Sequence, residues 1–168
     1  MANYEKDRAL ILTELPTRAL LEQLAEEAAE VGQAVLLESQ HGTRYGLSAD
    51  TGEEALAEEM ADLCMCADVL HLPMAEIQHT ATPTNAPQDI QKNRIGFAAC
   101  GVSKTAMKLI RARGNGNPTP RAEEDLWNEL AGWTDTLFWL AKRMGVSILP
   151  ADSNPKWERW AERIRKGM

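Results

Sequence analysis

The chain has 168 residues, a length typical of one domain or of two small halves that share one core. Apolar residues make up 44% of it and aromatic residues only 5%, a balance that favours helices over sheets. The formal net charge of −7 argues against a general nucleic-acid-binding protein. An acidic chain of this kind can bind a phosphate compound where a metal ion or a local group of Lys and Arg offsets the repulsion.

The cysteine spacing and the lack of long apolar runs argue against several further classes of protein. Cys64, Cys66 and Cys100 have no Cys-x-x-Cys spacing, which argues against a disulfide framework or a zinc site. We interpret Cys64 and Cys66 as small buried apolar residues. Residues 1–12 lack the pattern of a signal peptide, and no segment approaches the length of a membrane span. These features predict a cytoplasmic protein that is not associated with a membrane.

Breaks rich in proline, glycine and polar residues divide the sequence into predicted helices. Thr17 is a predicted N-cap, and Thr51 with Glu54 has the spacing of a capping box. Thr119 and Pro120 fit the N-cap and first-turn positions of a later helix. No segment alternates apolar and polar residues over the length of a strand, so we predict an all-α helical bundle in a single domain, 1–168. The predicted helices are at about 4–12, 17–39, 51–72, 89–113, 119–145 and 154–166.

Two acidic pairs occupy matching positions on the first two long helices. With about 100° of rotation per residue, Glu27 and Glu30 lie about 60° and 120° from the centre of their helix's apolar stripe. Glu59 and Asp62 lie at the same offsets from the stripe of the next long helix. If the two helices pack against each other, four carboxylates converge at the edge of the core.

Clustered carboxylates repel one another and lose hydration, and a divalent cation offsets both costs. No Lys or Arg follows these acids at the i+4 position, where it would form a local ion pair. Carboxylate oxygens suit Mg²⁺, for which Mn²⁺ can substitute, so we predict such a site. Glu26 lies further round the first helix and is a candidate to orient a water molecule or reach a second ion. The alternative is a solvated acidic face with surface ion pairs.

These residues also carry a resemblance to a known family. The Glu-Glu-x-x-Glu pattern at 26–30, followed by Glu-x-x-Asp at 59–62, resembles the signature of the MazG-like superfamily. This superfamily of all-α pyrophosphohydrolases includes MazG, dimeric dUTPases, dCTP pyrophosphatases and phosphoribosyl-ATP pyrophosphohydrolase. The resemblance covers about residues 20–72, with both half-motifs in the expected order and spacing on helices.

The resemblance implies hydrolysis of a nucleoside triphosphate to the monophosphate and pyrophosphate. It implies that Glu27, Glu30, Glu59 and Asp62 bind Mg²⁺. Glu26 and Glu27 would be catalytic, Glu26 by assisting a second ion or the attacking water. It also implies a homo-oligomer, a dimer or a tetramer, because related enzymes complete their pockets across subunits. The sequence does not show which base the substrate carries. We favour an enzyme that accepts deoxynucleotides broadly or accepts purine deoxynucleotides.

The second half of the chain resembles a degenerate copy of the first. We expect residues 1–73 to form the metal-binding half, residues 89–147 to keep its helical scaffold and form part of the pocket, and residues 154–168 to form a C-terminal helix. The alternative is that any two amphipathic helical pairs align loosely. Alignment of Val31 with Val102 places Glu26 opposite Phe97 and Glu30 opposite Gly101. Residues 128–133 match residues 58–63 with almost the same spacing, which places Glu59 opposite Glu129 and Asp62 opposite Gly132.

Several basic residues are candidates for binding phosphate. Lys156 and Arg159 lie near the start of the last predicted helix, where backbone N–H groups also favour anions. Lys104 and Arg44 are further candidates. The alternative for each is a solvated surface charge. The tryptophans are expected to pack the core or a subunit interface, and Trp157 to anchor the last helix.

Two other functions remain open from the sequence. The first is a catalytically inactive helical binding module that has kept the scaffold. The second is a di-iron carboxylate protein, suggested by Glu38-x-x-His41 and Glu76-x-x-His79. The histidines of these pairs lie at a predicted loop and a predicted linker, whereas di-iron ligands need continuous helices.

Overall fold

The computed structural model describes residues 2–38, 49–74, 85–114 and 119–167, and the structural statements below concern these residues. They form six α-helices, a short 3₁₀ helix at Ala151–Ser153 and no strand, so the all-α prediction is confirmed. The helices are α1 (Ala2–Glu14), α2 (Thr17–Glu38), α3 (Ala49–Val69), α4 (Gln88–Ala112), α5 (Glu123–Met144) and α6 (Lys156–Arg165).

Three of the predicted N-cap positions differ from the structure, by one residue at α2 and by a few residues at α3 and α5. Thr17 is the first residue of α2, and the carbonyl of Pro16 accepts the N–H of Ala19 at 2.9 Å. α3 begins before Thr51, which therefore lies inside the helix. α5 begins at Glu123 instead of Thr119, and three acidic residues of its first turn interact favourably with the helix dipole. Local capping patterns alone do not fix these starts.

α2 lies at the centre of the packing and contacts both α3 and α4, while α4 also packs against α5. Its apolar stripe is buried as predicted, and so is most of the stripe on α3. Cys64 and Cys66 are buried in the same core, and burial raises the pKa of Cys64 to about 11. Among the described helices, none combines the length and hydropathy needed to cross a bilayer. The buried stripe residues are Leu20, Leu24, Ala28, Val31 and Val35 on α2, with Leu56, Met60, Leu63 and Ala67 on α3.

α6 is held in place by α1 and by its own aromatic residues. Trp157 is buried, as predicted, and its ring meets the edge of Tyr4 at a centroid distance of 5.3 Å. Arg165 donates a hydrogen bond to the buried Asp7 at 2.6 Å. Arg8 of α1 donates in turn to Asp68 of α3 at 2.6 Å. α1 thus connects the C-terminal helix to the helix that carries two of the predicted metal ligands.

Gly101 marks a close approach between α4 and α5. A Cβ atom at this position would overlap the indole ring of Trp133. We expect Gly101→Ala to destabilise the protein by about 1–3 kcal/mol, because the ring must move out of a packed position. The measurement is the free energy of unfolding in urea. Gly132→Ala on α5 is the matched control, since its Cβ meets no atom within 4 Å; it should stabilise by up to about 1 kcal/mol. Equal effects of the two changes would contradict this packing.

Candidate metal centre

Three of the predicted ligands converge between α2 and α3. One carboxylate oxygen from each of Glu27, Glu30 and Glu59 lies within 4.8 Å of the other two, and all three residues are half-buried. Octahedral Mg²⁺, with metal–oxygen distances of about 2.1 Å, holds ligand oxygens no more than about 4.2 Å apart. Small side-chain movements would therefore suffice to bring these oxygens around one ion.

The described part of the protein balances the negative charge of this cluster only in part. Burial raises the pKa of Glu27 to about 7, the charges of Asp62 and Glu30 add to the rise, and a hydrogen bond from Gln23 opposes it. Burial likewise raises the pKa of Glu59 to about 7, again with the charges of Glu30 and Asp62. These carboxyl groups hold protons more strongly than usual because the folded protein keeps them close together and away from water.

Of the two carboxylate oxygens of Glu27, one has a hydrogen-bond donor among the described residues and the other has none. Its Oε1 atom accepts a hydrogen bond from Gln23 at 2.7 Å. Its Oε2 atom is buried and finds no donor among the residues that the structure describes. A buried polar atom without a partner costs about 1–3 kcal/mol, a cost that a bound cation would remove. The donor set therefore fits a hard divalent cation.

Asp62 lies beside this group but is held by residues of the C-terminal segment. Its side chain is only 4% exposed. Its Oδ1 atom accepts a hydrogen bond from Asn154 at 3.2 Å, and its Oδ2 atom pairs with the ammonium of Lys156. Sequence reasoning treated Asn154 only as the start of a helix and missed this contact. The feature of the sequence that could have pointed to Asn154 was its position two residues before Lys156, a predicted phosphate-binding residue.

Glu26 is exposed on the neighbouring side of α2 and is not one of the three converging carboxylates. Its predicted part in catalysis therefore requires a water molecule or a second ion on the solvent side of the cluster. This role stays a prediction.

A cavity of about 280 Å³ opens beside the acids. Glu27 and Asp62 line it together with three cations of α6, Lys156, Arg159 and Arg163. The fold thus brings two of the predicted phosphate-binding residues next to the predicted metal ligands. Arg163, one turn further along α6, joins them. The remaining lining residues are Gln23, Met65, Cys66 and Trp160.

Of the other candidate residues, Lys104 does not extend this site. Lys104 is exposed on α4 and is not among the residues that line the cavity. Arg44 lies outside the described residues, as do His41 and His79 of the proposed di-iron pairs.

In the second helical pair, α4 and α5, other groups of the protein neutralise the charge of an acidic residue. Glu129, placed opposite Glu59 by the alignment, accepts a hydrogen bond from Thr105 at 3.2 Å. It also pairs with Arg121 and with Lys108, the latter at 3.7 Å. At Gly101, opposite Glu30, the indole of Trp133 fills the space. Protein groups thus occupy the corresponding place in this pair, and the internal repeat itself stays a prediction.

Comparisons with models of protein families, with curated proteins and with solved structures give no match for this chain. The resemblance to the MazG-like superfamily therefore rests on the two acidic half-motifs.

The raised pKa values predict how stability depends on pH. Between about pH 4.5 and pH 7, the folded state binds more protons than the unfolded state, so stability should fall as pH rises through this window. A divalent cation replaces those protons, so Mn²⁺ should raise Tm at about pH 8 and have little effect at about pH 5. Thermal unfolding with EDTA or Mn²⁺ measures both effects.

The double variant Glu27→Gln/Glu59→Gln should lose both the pH dependence and the Mn²⁺ effect. Glu22→Gln is the matched control, because Glu22 is exposed on the same helix and pairs with Arg18. A Mn²⁺ effect of equal size in the double variant would place the ion elsewhere.

Proposed function

We propose that this protein is a Mg²⁺-dependent nucleoside triphosphate pyrophosphohydrolase of the cytoplasm. It cleaves the α–β phosphoanhydride and releases the monophosphate and pyrophosphate. The observation that carries the proposal is the convergence of Glu27, Glu30 and Glu59 within 4.8 Å, beside a cavity that acids and cations line together. Carboxylates that can hold a metal ion and cations that can hold phosphate match a metal-bound polyphosphate.

Glu27, Glu30 and Glu59, with Asp62, would hold the ion, and Mn²⁺ can substitute for Mg²⁺ at such oxygen ligands. When bound, the ion lowers the pKa of a coordinated water and neutralises charge on the phosphate oxygens. Burial of the glutamates in the core border fixes their positions and excludes part of the competing solvent.

The residues of the chain divide the remaining tasks. Arg159 and Arg163 contribute planar guanidinium groups that match phosphate oxygens, and Lys156 contributes a mobile ammonium. They hold the β- and γ-phosphates so that the α-phosphorus faces the acids. Glu26, next to Glu27 and open to solvent, accepts the proton of the attacking water.

The substrate is a deoxynucleoside or nucleoside triphosphate, with purine deoxynucleotides as the first candidates, and the role is control of the nucleotide pool. Neither nucleic acid nor a membrane is a partner. The functional unit is a homo-oligomer, a dimer or tetramer. Large apolar side chains left exposed on α4 and α5 support this, among them Phe97, which is 70% exposed, and Trp139, which is 45% exposed.

One observation favours a second candidate, a helical binding module without turnover. Lys156 neutralises Asp62 much as Arg121 neutralises Glu129 in the second helical pair. Such an ion pair would also be found in a protein that keeps the scaffold and binds no metal.

Hydrolysis assays separate the two candidates. Pure protein with each deoxynucleoside triphosphate and Mg²⁺ should yield the monophosphate and pyrophosphate, resolved by anion-exchange chromatography. Glu30→Gln and Asp62→Asn should each lower kcat by more than about 100-fold, because even the outer partners of metal ligands commonly contribute 10–100-fold. Glu22→Gln should keep full activity. Release of inorganic phosphate together with the nucleoside diphosphate, or turnover that persists in Glu30→Gln, would contradict the proposal.

The part of the α6 cations in substrate binding is tested separately. Arg159→Ala should raise KM about 10-fold, because one charge-assisted contact to phosphate is lost, and change kcat less. Lys166→Ala is the matched control, since Lys166 is exposed beyond the end of α6 and pairs with Glu162. Steady-state kinetics give both constants. A KM that responds equally to the two changes would show only a general charge effect.

A further inference from the structure

Asp62 is held by two residues that differ in how firmly they are themselves fixed. Asn154 is buried, and its amide nitrogen also lies 3.3 Å from the carbonyl of Ala61. Its Oδ1 atom accepts the backbone N–H of Lys156 at 2.9 Å. The Oδ1 atom of Asp62 therefore has a partner that the fold keeps in place.

Lys156 is a different kind of partner. Its side chain is 37% exposed, against 4% for Asp62, and it lies along the cavity. Its ammonium is also 3.8 Å from the exposed Glu58. A flexible four-carbon stem lets the ammonium turn without movement of the backbone. The Oδ2 atom of Asp62 thus has a partner that can leave.

A divalent cation and an ammonium compete for the Oδ2 atom of Asp62, because two cations at short distance repel each other. The three glutamates already lie close enough to share an ion, and Asp62 is the predicted ligand that stands apart from them. The Oδ2 atom of this same residue is the one that Lys156 occupies.

We propose that Lys156 is an internal counter-ion that occupies Asp62 until a divalent cation binds, and that its released ammonium then turns into the cavity to meet the substrate phosphates. This inference rests on the proposed metal centre and adds an order to it. The ion binds first, and its binding creates the free cation that the polyphosphate needs. Asn154 is a positioning residue that keeps the Oδ1 atom of Asp62 fixed throughout the exchange.

The experiment measures Mn²⁺ affinity in the full chain without nucleotide, by titration calorimetry and by the loss of the free Mn²⁺ electron paramagnetic resonance signal. Lys156→Met removes the competing ammonium and should tighten Mn²⁺ binding about 5-fold or more, a typical size for coupling between two ligands. Lys156→Gln should act in the same direction, so that the result does not depend on one variant.

Arg159→Met is the matched control. It removes one positive charge from the same helix and the same cavity wall, and Arg159 has no ion pair with Asp62 among the contacts described. It should tighten Mn²⁺ binding less than Lys156→Met does, because it changes only the general field. Circular dichroism confirms that each variant is folded.

A second readout follows the ammonium itself. In ¹H–¹⁵N spectra of lysine side chains, one resonance that is absent from Lys156→Met should be protected in EDTA and should lose this protection on addition of Mg²⁺.

The outcomes are distinguishable. Mn²⁺ binding that Lys156→Met leaves unchanged, weakens, or tightens no more than Arg159→Met would overturn the exchange and leave the metal centre intact. No Mn²⁺ binding in the wild type or in either Lys156 variant would overturn both the metal centre and the exchange.

Discussion

Carboxylates held close together at the edge of the core repel one another, and the folded protein must offset this repulsion. The apolar stripes of α2 and α3 must be buried, and this brings Glu27, Glu30 and Glu59 together at their border. Burial and mutual repulsion raise the pKa of Glu27 and of Glu59 to about 7. The cluster must therefore be compensated by protons, by cations of the chain or by a bound ion.

The C-terminal segment supplies the compensation that the chain can make by itself. α1 holds α6 through Tyr4, which packs on Trp157, and through Asp7, which pairs with Arg165. This placement brings the cations of α6 to the same cavity as Glu27 and Asp62. The contacts between α1 and α6 therefore fix where these cations lie relative to the acids.

The two helical pairs meet the same requirement by different means. In α4 and α5, Arg121 and Lys108 neutralise Glu129, and the indole of Trp133 covers Gly101. In α2 and α3, Glu27 keeps a buried oxygen without a donor in the described part of the chain. Among the described residues of the two pairs, the buried carboxylate oxygen without a donor is on α2, and this is the observation behind the proposed metal centre.

The sequence by itself determined the helices, their buried stripes and the shared border on which Glu27, Glu30 and Glu59 lie, because helical periodicity is a local property. It placed the starts of α3 and α5 a few residues off, since caps are weak signals that packing overrides. Only the tertiary structure decided that Asn154 and Lys156 hold Asp62. These partners are 92 and 94 residues away in the chain, and no local pattern specifies which distant side chains a fold brings into contact.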